Sequence, residues 1–199
     1  MSDLQPQKPT AILEPAKDLL VLEGVVPWGM VIVAAADEVD AWMETAQYAR
    51  AHKGVVDWVN SSVVVSGDLT DQRFQPYEEA IVRVVGFCLQ AYVEHNGYMG
   101  GREDQGYRLH RYTKGQTLGV HCDQERMEDP THPHTRRLLS VTLYLNDDYE
   151  GGEIHYPRRD LSLHPTAGSV VMFPSNFAWP HASLPVSEGT KYSVATWVF

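Results

Sequence analysis

Beyond Gly106 the chain becomes a succession of short alternating runs broken by Gly, Pro and Asp. Seven of them fit into about 90 residues: Tyr107–Tyr112, Leu118–Asp123, Leu138–Leu145, Glu153–Tyr156, Ser169–Phe173, Ala178–Ala182 and Lys191–Phe199. Parallel βαβ units need crossovers of roughly a dozen residues or more, and such spacers are missing here. The C-terminal half is therefore expected to form an antiparallel sandwich or barrel.

The N-terminal half has a different texture. Residues 1–17 are polar, carry three prolines and show no period, which reads as a loose, flexible arm. Val21–Val26 and Val31–Val33 are β-branched runs separated by Pro27 and Gly29, which suits strands and turns. Asp37 looks like an N-cap, and Val39, Trp42, Met43, Ala46 and Ala49 form a helical stripe ending near Lys53-Gly54. A second stripe runs through Tyr77, Ile81, Val84, Val85, Cys88, Leu89, Tyr92 and Val93 and stops at Asn96-Gly97. Cys88 on that stripe reads as a buried thiol, and Val55–Arg73 between the stripes reads as a loop over a site. The organisation expected is one α+β domain over residues 18–199, with two helices packed on a β core of about 107–199.

Composition narrows the function classes. The 199 residues include 43% hydrophobic ones, enough for a sizeable core. With 26 acidic and 16 basic side chains the net charge is −10, which disfavours nucleic acid and anionic lipid as partners. The longest near-apolar run, Gly29–Ala36, is far short of the ~20 residues that span a bilayer. Two cysteines outside any CxxC motif make no disulfide framework. No secretory signal is visible at Met1-Ser2-Asp3-Leu4, so the expectation is a cytoplasmic protein without membrane partners.

The chemistry centres on His121-Cys122-Asp123. On a strand, residues two apart share a face, so His121 and Asp123 project together while Cys122 points away. An imidazole and a carboxylate so placed suit one divalent metal, although HxD alone is a weak signal among nine histidines. Further along come Gly168–Pro174, then His181, then Lys191 with Ser193, Ala195 and Trp197 on its face. A lysine beside two small residues leaves a cavity with a fixed positive charge at its end, suited to a small dicarboxylate. On its own, Lys191 reads as an edge lysine that limits strand pairing. The run Leu139–Leu145 adds a leucine face opposed by Ser140, Thr142 and Tyr144. Hydroxyls turned into a barrel cost roughly 1–3 kcal/mol each when unsatisfied, so a polar ligand inside would relieve them.

Taken together, these residues resemble the prolyl 4-hydroxylase-like branch of the Fe(II)- and 2-oxoglutarate-dependent dioxygenases. The resemblance runs from Tyr112 to Phe199: Tyr-x-x-Gly-Gln at 112–116, His121-x-Asp123, Leu143-Tyr-Leu-Asn146, Gly151-Gly-Glu153, Phe173-Pro, His181, Lys191 and Thr196-Trp-Val-Phe199. It implies a double-stranded β-helix (jelly-roll, cupin-like) core supported by the N-terminal helices. It also implies that His121, Asp123 and His181 are the facial triad for Fe(II). Lys191 would pair with the distal carboxylate of 2-oxoglutarate, helped by the Tyr144 hydroxyl, with Tyr112 lining and Trp197 walling the pocket. The implied reaction is hydroxylation of an unactivated C–H bond using O2, with release of succinate and CO2. The implied substrate is a prolyl residue of a peptide or protein, or an amino-acid-like small molecule, and ascorbate is a further candidate cofactor. Because Asp123 is present, halogenation is not expected.

Other readings remain at this point. His132 and His134 lie in a proline-broken loop that is more simply solvated than a second metal site. Residues 124–137 read as a solvated loop, with Arg136 and Arg137 at the substrate entrance if the resemblance holds. A nucleic-acid dealkylase of the same superfamily would be expected to carry arginines in its final strand. A non-catalytic β-barrel binding module would need neither the triad nor the lysine. A cupin-like isomerase or sugar enzyme would turn over without 2-oxoglutarate. Oligomeric state is not legible.

Overall fold

The structure is a computed structural model, which describes residues 4–37, 43–44, 64–68, 74–97, 101, 103–124 and 133–199. In chain order the elements are β1 (Ala11–Ala16), β2 (Leu19–Glu23), α1 (Gly29–Asp37), β3 (Met43–Glu44), β4 (Val64–Asp68) and α2 (Gln75–Asn96). There follow β5 (Arg108–Tyr112), β6 (Leu118–His121), α3 (Pro133–Arg136), β7 (Leu139–Tyr144), β8 (Glu150–Gly151), β9 (Ile154–Tyr156) and β10 (Leu161–Leu163). The last strands are β11 (Val170–Pro174), β12 (His181–Ser183), β13 (Val186–Glu188) and β14 (Lys191–Val198).

Two antiparallel sheets build a double-stranded β-helix. The larger has eight strands in the order β1-β2-β11-β7-β14-β5-β4-β3, and the smaller has four, β10-β9-β12-β6. A short β13-β8 pair forms a third, two-stranded sheet. Strand alternation sorts side chains between two cores. Leu20, Leu22, Leu139, Val141, Leu143, Val170, Met172 and Val194 turn outward, onto Ile32 and Ala36 of α1 and Ile81, Val84 and Cys88 of α2. Leu19, Val21, Tyr144, Val171 and Phe173 turn inward, against Ile154, Tyr156 and Trp179 of the smaller sheet. The leucine face of β7 is thus the one the helices cover, and its hydroxyl face looks into the barrel.

The α2 stripe ends where the sequence indicates. Gly97 takes φ of 87°, and its N–H donates to Val93 O at 2.8 Å. Among the described residues no helix is long and apolar enough to cross a membrane.

Several N-terminal expectations change. Residues 11–16 of the expected loose arm are β1, paired antiparallel with β2 from Ala11↔Glu23 to Ala16↔Leu19. As the outermost strand, β1 leaves most of its side chains in solvent, which is why no apolar period marks it. The Val31–Val33 run is helical. Ile32, Val33 and Ala36 are buried while Met30 and Val31 are exposed, and burial at that spacing overrides the β preference of the residue types. Asp37, expected as the N-cap of a following helix, is the last residue of α1. Met43 and Glu44, expected as helix, are β3, and residues 64–68 of the expected 55–73 loop are β4, bridging β3 and β5. The rest of the 38–54 helix and of that loop lies outside the described residues.

Candidate active site

The register of β12 on β6 sets His181 directly opposite His121. Their ring centroids lie 4.3 Å apart. Asp123, two residues past His121, reaches both: its Oδ1 is 3.5 Å from His121 Nε2 and its Oδ2 3.5 Å from His181 Nε2. One ligand atom from each of the three lies within 4.8 Å of the others. Each imidazole is held by its other nitrogen. His121 Nδ1 is 2.8 Å from Gly119 O, and His181 Nδ1 is 3.2 Å from Trp179 O. A carbonyl only accepts, so Nδ1 carries the proton and the Nε2 lone pair faces the site.

The electrostatics favour the ligand forms. Burial and the neighbouring His121 push the His181 imidazolium down to about 4, so the ring is neutral at pH 7. Burial opposes charge on Asp123, yet His181, His121 and the Arg137 guanidinium together hold its carboxyl well below the usual range. Two imidazoles and one carboxylate converging on one point fit a divalent transition metal, and this donor set is the one used by non-haem Fe(II) oxygenases.

Lys191 opens β14 and lies opposite Tyr112 of β5. It is 2% exposed. Its Nζ donates to Gly152 O at 2.6 Å and to the Ser183 hydroxyl at 2.9 Å, and it sits 5.1 Å from the Tyr112 ring centroid and 5.3 Å from that of Tyr144. Burial pushes the ammonium down to about 7. Among the described residues no carboxylate forms an ion pair with it. A buried cation held only by neutral acceptors is costly, and an anionic ligand would compensate it. Burial raises both tyrosine hydroxyls well above their usual range, so they stay protonated donors.

The triad and the lysine face one pocket, which Tyr112, Tyr144, Ser193, Ala195 and Trp197 also line. All seven residues singled out from the sequence therefore meet there. Trp197 lies at the far end of β14 from Lys191, between Arg137 at 3.7 Å and Arg108 at 4.7 Å from its ring.

Three further residues support the site. Arg137, expected at a solvated entrance, is 3% exposed; its Nε donates to Gln105 Oε1 at 2.6 Å and its Nη1 to the Asp123 carbonyl at 3.1 Å. His110 lines the pocket as a neutral ring, pushed down to about 3 by burial and by Arg108 and Lys191. Ser140, on the hydroxyl face of β7, donates to Asp123 Oδ2. Of the 124–137 loop, residues 125–132 and the His134 side chain lie outside the described residues; residues 133–136 are the short α3, and the exposed Arg136 stacks 4.5 Å over Phe199.

Comparison with known proteins agrees with this geometry. Residues 107–199 match the family described as the 2OG-Fe(II) oxygenase superfamily. A PKHD-type hydroxylase of Alteromonas mediterranea is 34% identical over 95 residues, covering 45% of this chain and 41% of that protein. The match thus spans about two fifths of the curated relative. The viral collagen prolyl hydroxylase of Paramecium bursaria Chlorella virus-1 superposes with a TM-score of 0.63 at 19% identity, over 92% of this chain and 96% of that one. A Trichoplax adhaerens prolyl hydroxylase, solved with a hypoxia inducible factor peptide fragment, gives 0.65 at 15% identity, over 92% and 83%. At such identities the structural likeness concerns the fold. In sequence across its C-terminal half, and in fold over nearly its whole length, the chain resembles the prolyl-hydroxylase-like 2OG-Fe(II) oxygenases.

Proposed function

We propose that this chain is an Fe(II)- and 2-oxoglutarate-dependent hydroxylase acting on a C–H bond of a prolyl residue in a peptide, with an amino-acid-like small molecule as the other substrate class. The observation that carries the reading is the conjunction of the His121–Asp123–His181 donor set and the buried Lys191 ammonium, hydrogen-bonded to neutral acceptors, in one pocket. A metal-binding barrel with no anionic co-reactant has no use for that lysine.

His121 and His181 would hold the iron through Nε2 and Asp123 through a carboxylate oxygen, with Nδ1 of each ring fixed by its own backbone. Bound Fe(II) would supply the activation of dioxygen coupled to oxidative decarboxylation of 2-oxoglutarate to succinate and CO2. Lys191 would bind the distal carboxylate, in a site dry enough for the pairing to be stronger than in water. Tyr144 and Tyr112, both protonated, supply donors beside that carboxylate. Ser193 and Ala195 leave room between the lysine and Trp197, whose ring would wall the same pocket. Leu118 and Ile154 limit water on the opposite wall. The peptide fragment bound by the Trichoplax protein supports a peptide as the substrate class.

Purified chain with Fe(II), 2-oxoglutarate and proline-containing peptides should form succinate and add one oxygen atom to a peptide. Asp123→Ala should abolish both. Full succinate formation by that variant would refute the reading.

A further inference from the structure

The inward hydroxyls of β7 do more than line the pocket. Ser140 is 2% exposed, and its Oγ lies 2.5 Å from Asp123 Oδ2. The same Oγ is 2.8 Å from the Oγ of Ser175, which is fully buried. An ionised carboxylate only accepts, so the Ser140 proton goes to Asp123 and Ser175 must donate to Ser140. The relay therefore has one direction, from Ser175 through Ser140 to Oδ2. Ser175 also grips the adjoining backbone, its carbonyl accepting from Gln124 N–H at 2.8 Å and its own N–H donating to Leu138 O at 2.9 Å. Arg137 fixes the Asp123 carbonyl from the other side. The segment is thus clamped at its main chain, and one particular carboxylate oxygen is engaged.

We propose that Ser140, backed by Ser175, is a positioning residue that holds Oδ2 by a hydrogen bond and weakens it as a metal donor, so that Asp123 presents the metal chiefly with Oδ1. This rests on the metal reading given above and extends it. A carboxylate with both oxygens free can chelate a divalent cation. Chelation by Asp123 would use one of the three positions that a facial triad leaves open. A 2-oxo acid needs two of them, so an untethered Asp123 would compete with the co-reactant. A short O–H···O⁻ bond to a charged acceptor is among the stronger hydrogen bonds and suits that restraint.

Titration calorimetry tests this with Mn(II), followed by N-oxalylglycine on the Mn(II)-loaded protein, for the wild type, Ser140→Ala, Ser140→Thr and Ser175→Ala. Ser140→Ala should keep Mn(II) affinity within about threefold while weakening N-oxalylglycine by about tenfold or more, the scale of outer-shell effects at metal sites. Ser140→Thr retains the hydroxyl and should restore binding, and Ser175→Ala should fall between. Equal losses of both affinities would mark general structural support and overturn the proposal, as would no change in either. If Ser140→Ala fails to fold, a Ser175→Ala protein with wild-type affinity for both ligands overturns it. A wild-type chain that takes up no Mn(II) would instead sink the metal reading itself.

Discussion

His121 and His181 face each other across the β6–β12 pairing, and each ties Nδ1 to the carbonyl two residues before it, Gly119 within β6 and Trp179 in the loop leading into β12. The tie is local on both sides, so the strand register sets how the two imidazoles face each other beside Asp123. A slip of one residue in that pairing would turn His181 to the other face of the sheet. The precision of the site is therefore a property of β-sheet pairing.

The first prediction concerns pH. With the Lys191 ammonium pushed down to about 7, part of the ligand-free population is neutral near that pH. A dicarboxylate favours the charged lysine, so its binding takes up a proton and weakens as pH rises, approaching about tenfold per unit well above 7. Calorimetry with N-oxalylglycine from about pH 6 to 9 should show that slope, and Lys191→Met should bind weakly without it. For folding, the unfolded lysine titrates near 10.5 and the folded one near 7, so between them the unfolded chain holds more protons. The ligand-free fold should gain stability from this group as pH climbs through that window.

The paired glycines predict two different defects. A Cβ on Gly151 would sit 2.4 Å from Pro185 O, with φ already at +69°. Gly151→Ala should cost about 2–4 kcal/mol in urea unfolding, through strain and displacement of a neighbour. A Cβ on Gly152 would lie 3.3 Å from Lys191 Cδ and 3.2 Å from Tyr149 Cε2, at φ of +66°. Because the Gly152 carbonyl also accepts from Lys191, Gly152→Ala should weaken 2-oxo acid binding more than Mn(II) binding. An equal loss of both would show that the lysine is not the group disturbed.

Arg137 should not be replaceable by lysine. Its planar group stacks on Trp197 while one arm donates to Gln105 and another to the Asp123 carbonyl. An ammonium keeps the charge but loses the fork and the stacking surface. Arg137→Lys should lower Mn(II) affinity about tenfold, measured by calorimetry. Equal affinity in the two proteins would assign Arg137 to packing alone.

The two thiols should separate kinetically. Cys88 is buried in the helix–sheet core, and burial pushes its thiol up to about 12, whereas Cys122 is half-buried. Alkylation followed by peptide mass spectrometry should modify Cys122 first and Cys88 only as the fold opens. Prompt labelling of Cys88 in the folded protein would contradict the packing of α2.

What the sequence made legible was the part governed by short-range geometry. The two-residue spacing brought His121 and Asp123 together, although β6 ends at His121 and Asp123 lies in the bend after it; the opposed faces of Leu139–Leu145 anticipated both the helix-covered side and the polar interior. The Asn96-Gly97 stop worked because a left-handed glycine ends a helix locally. What failed depended on distant partners. β1 has no apolar period because it is an edge, and α1 is β-branched yet helical because the sheet buries one side of it. Arg137 was read as solvated because a charge run carries no sign that Trp197 and Asp123 will enclose part of it. The Ser175–Ser140–Asp123 relay joins residues from three separate stretches, which no single motif records.

The two halves of the site rest on supports of unequal mechanical rank. β14 lies inside the eight-stranded sheet, hydrogen-bonded to β7 on one flank and β5 on the other, whereas β6 is the outermost strand of the four-stranded sheet. Amide hydrogens along β14 can exchange only when the larger sheet parts, while those of β6 need only the rim to fray. The anchor for the organic acid is thus riveted to the keel of the molecule, and the clasp for the metal to its gunwale. On warming, the clasp should loosen while the anchor still holds.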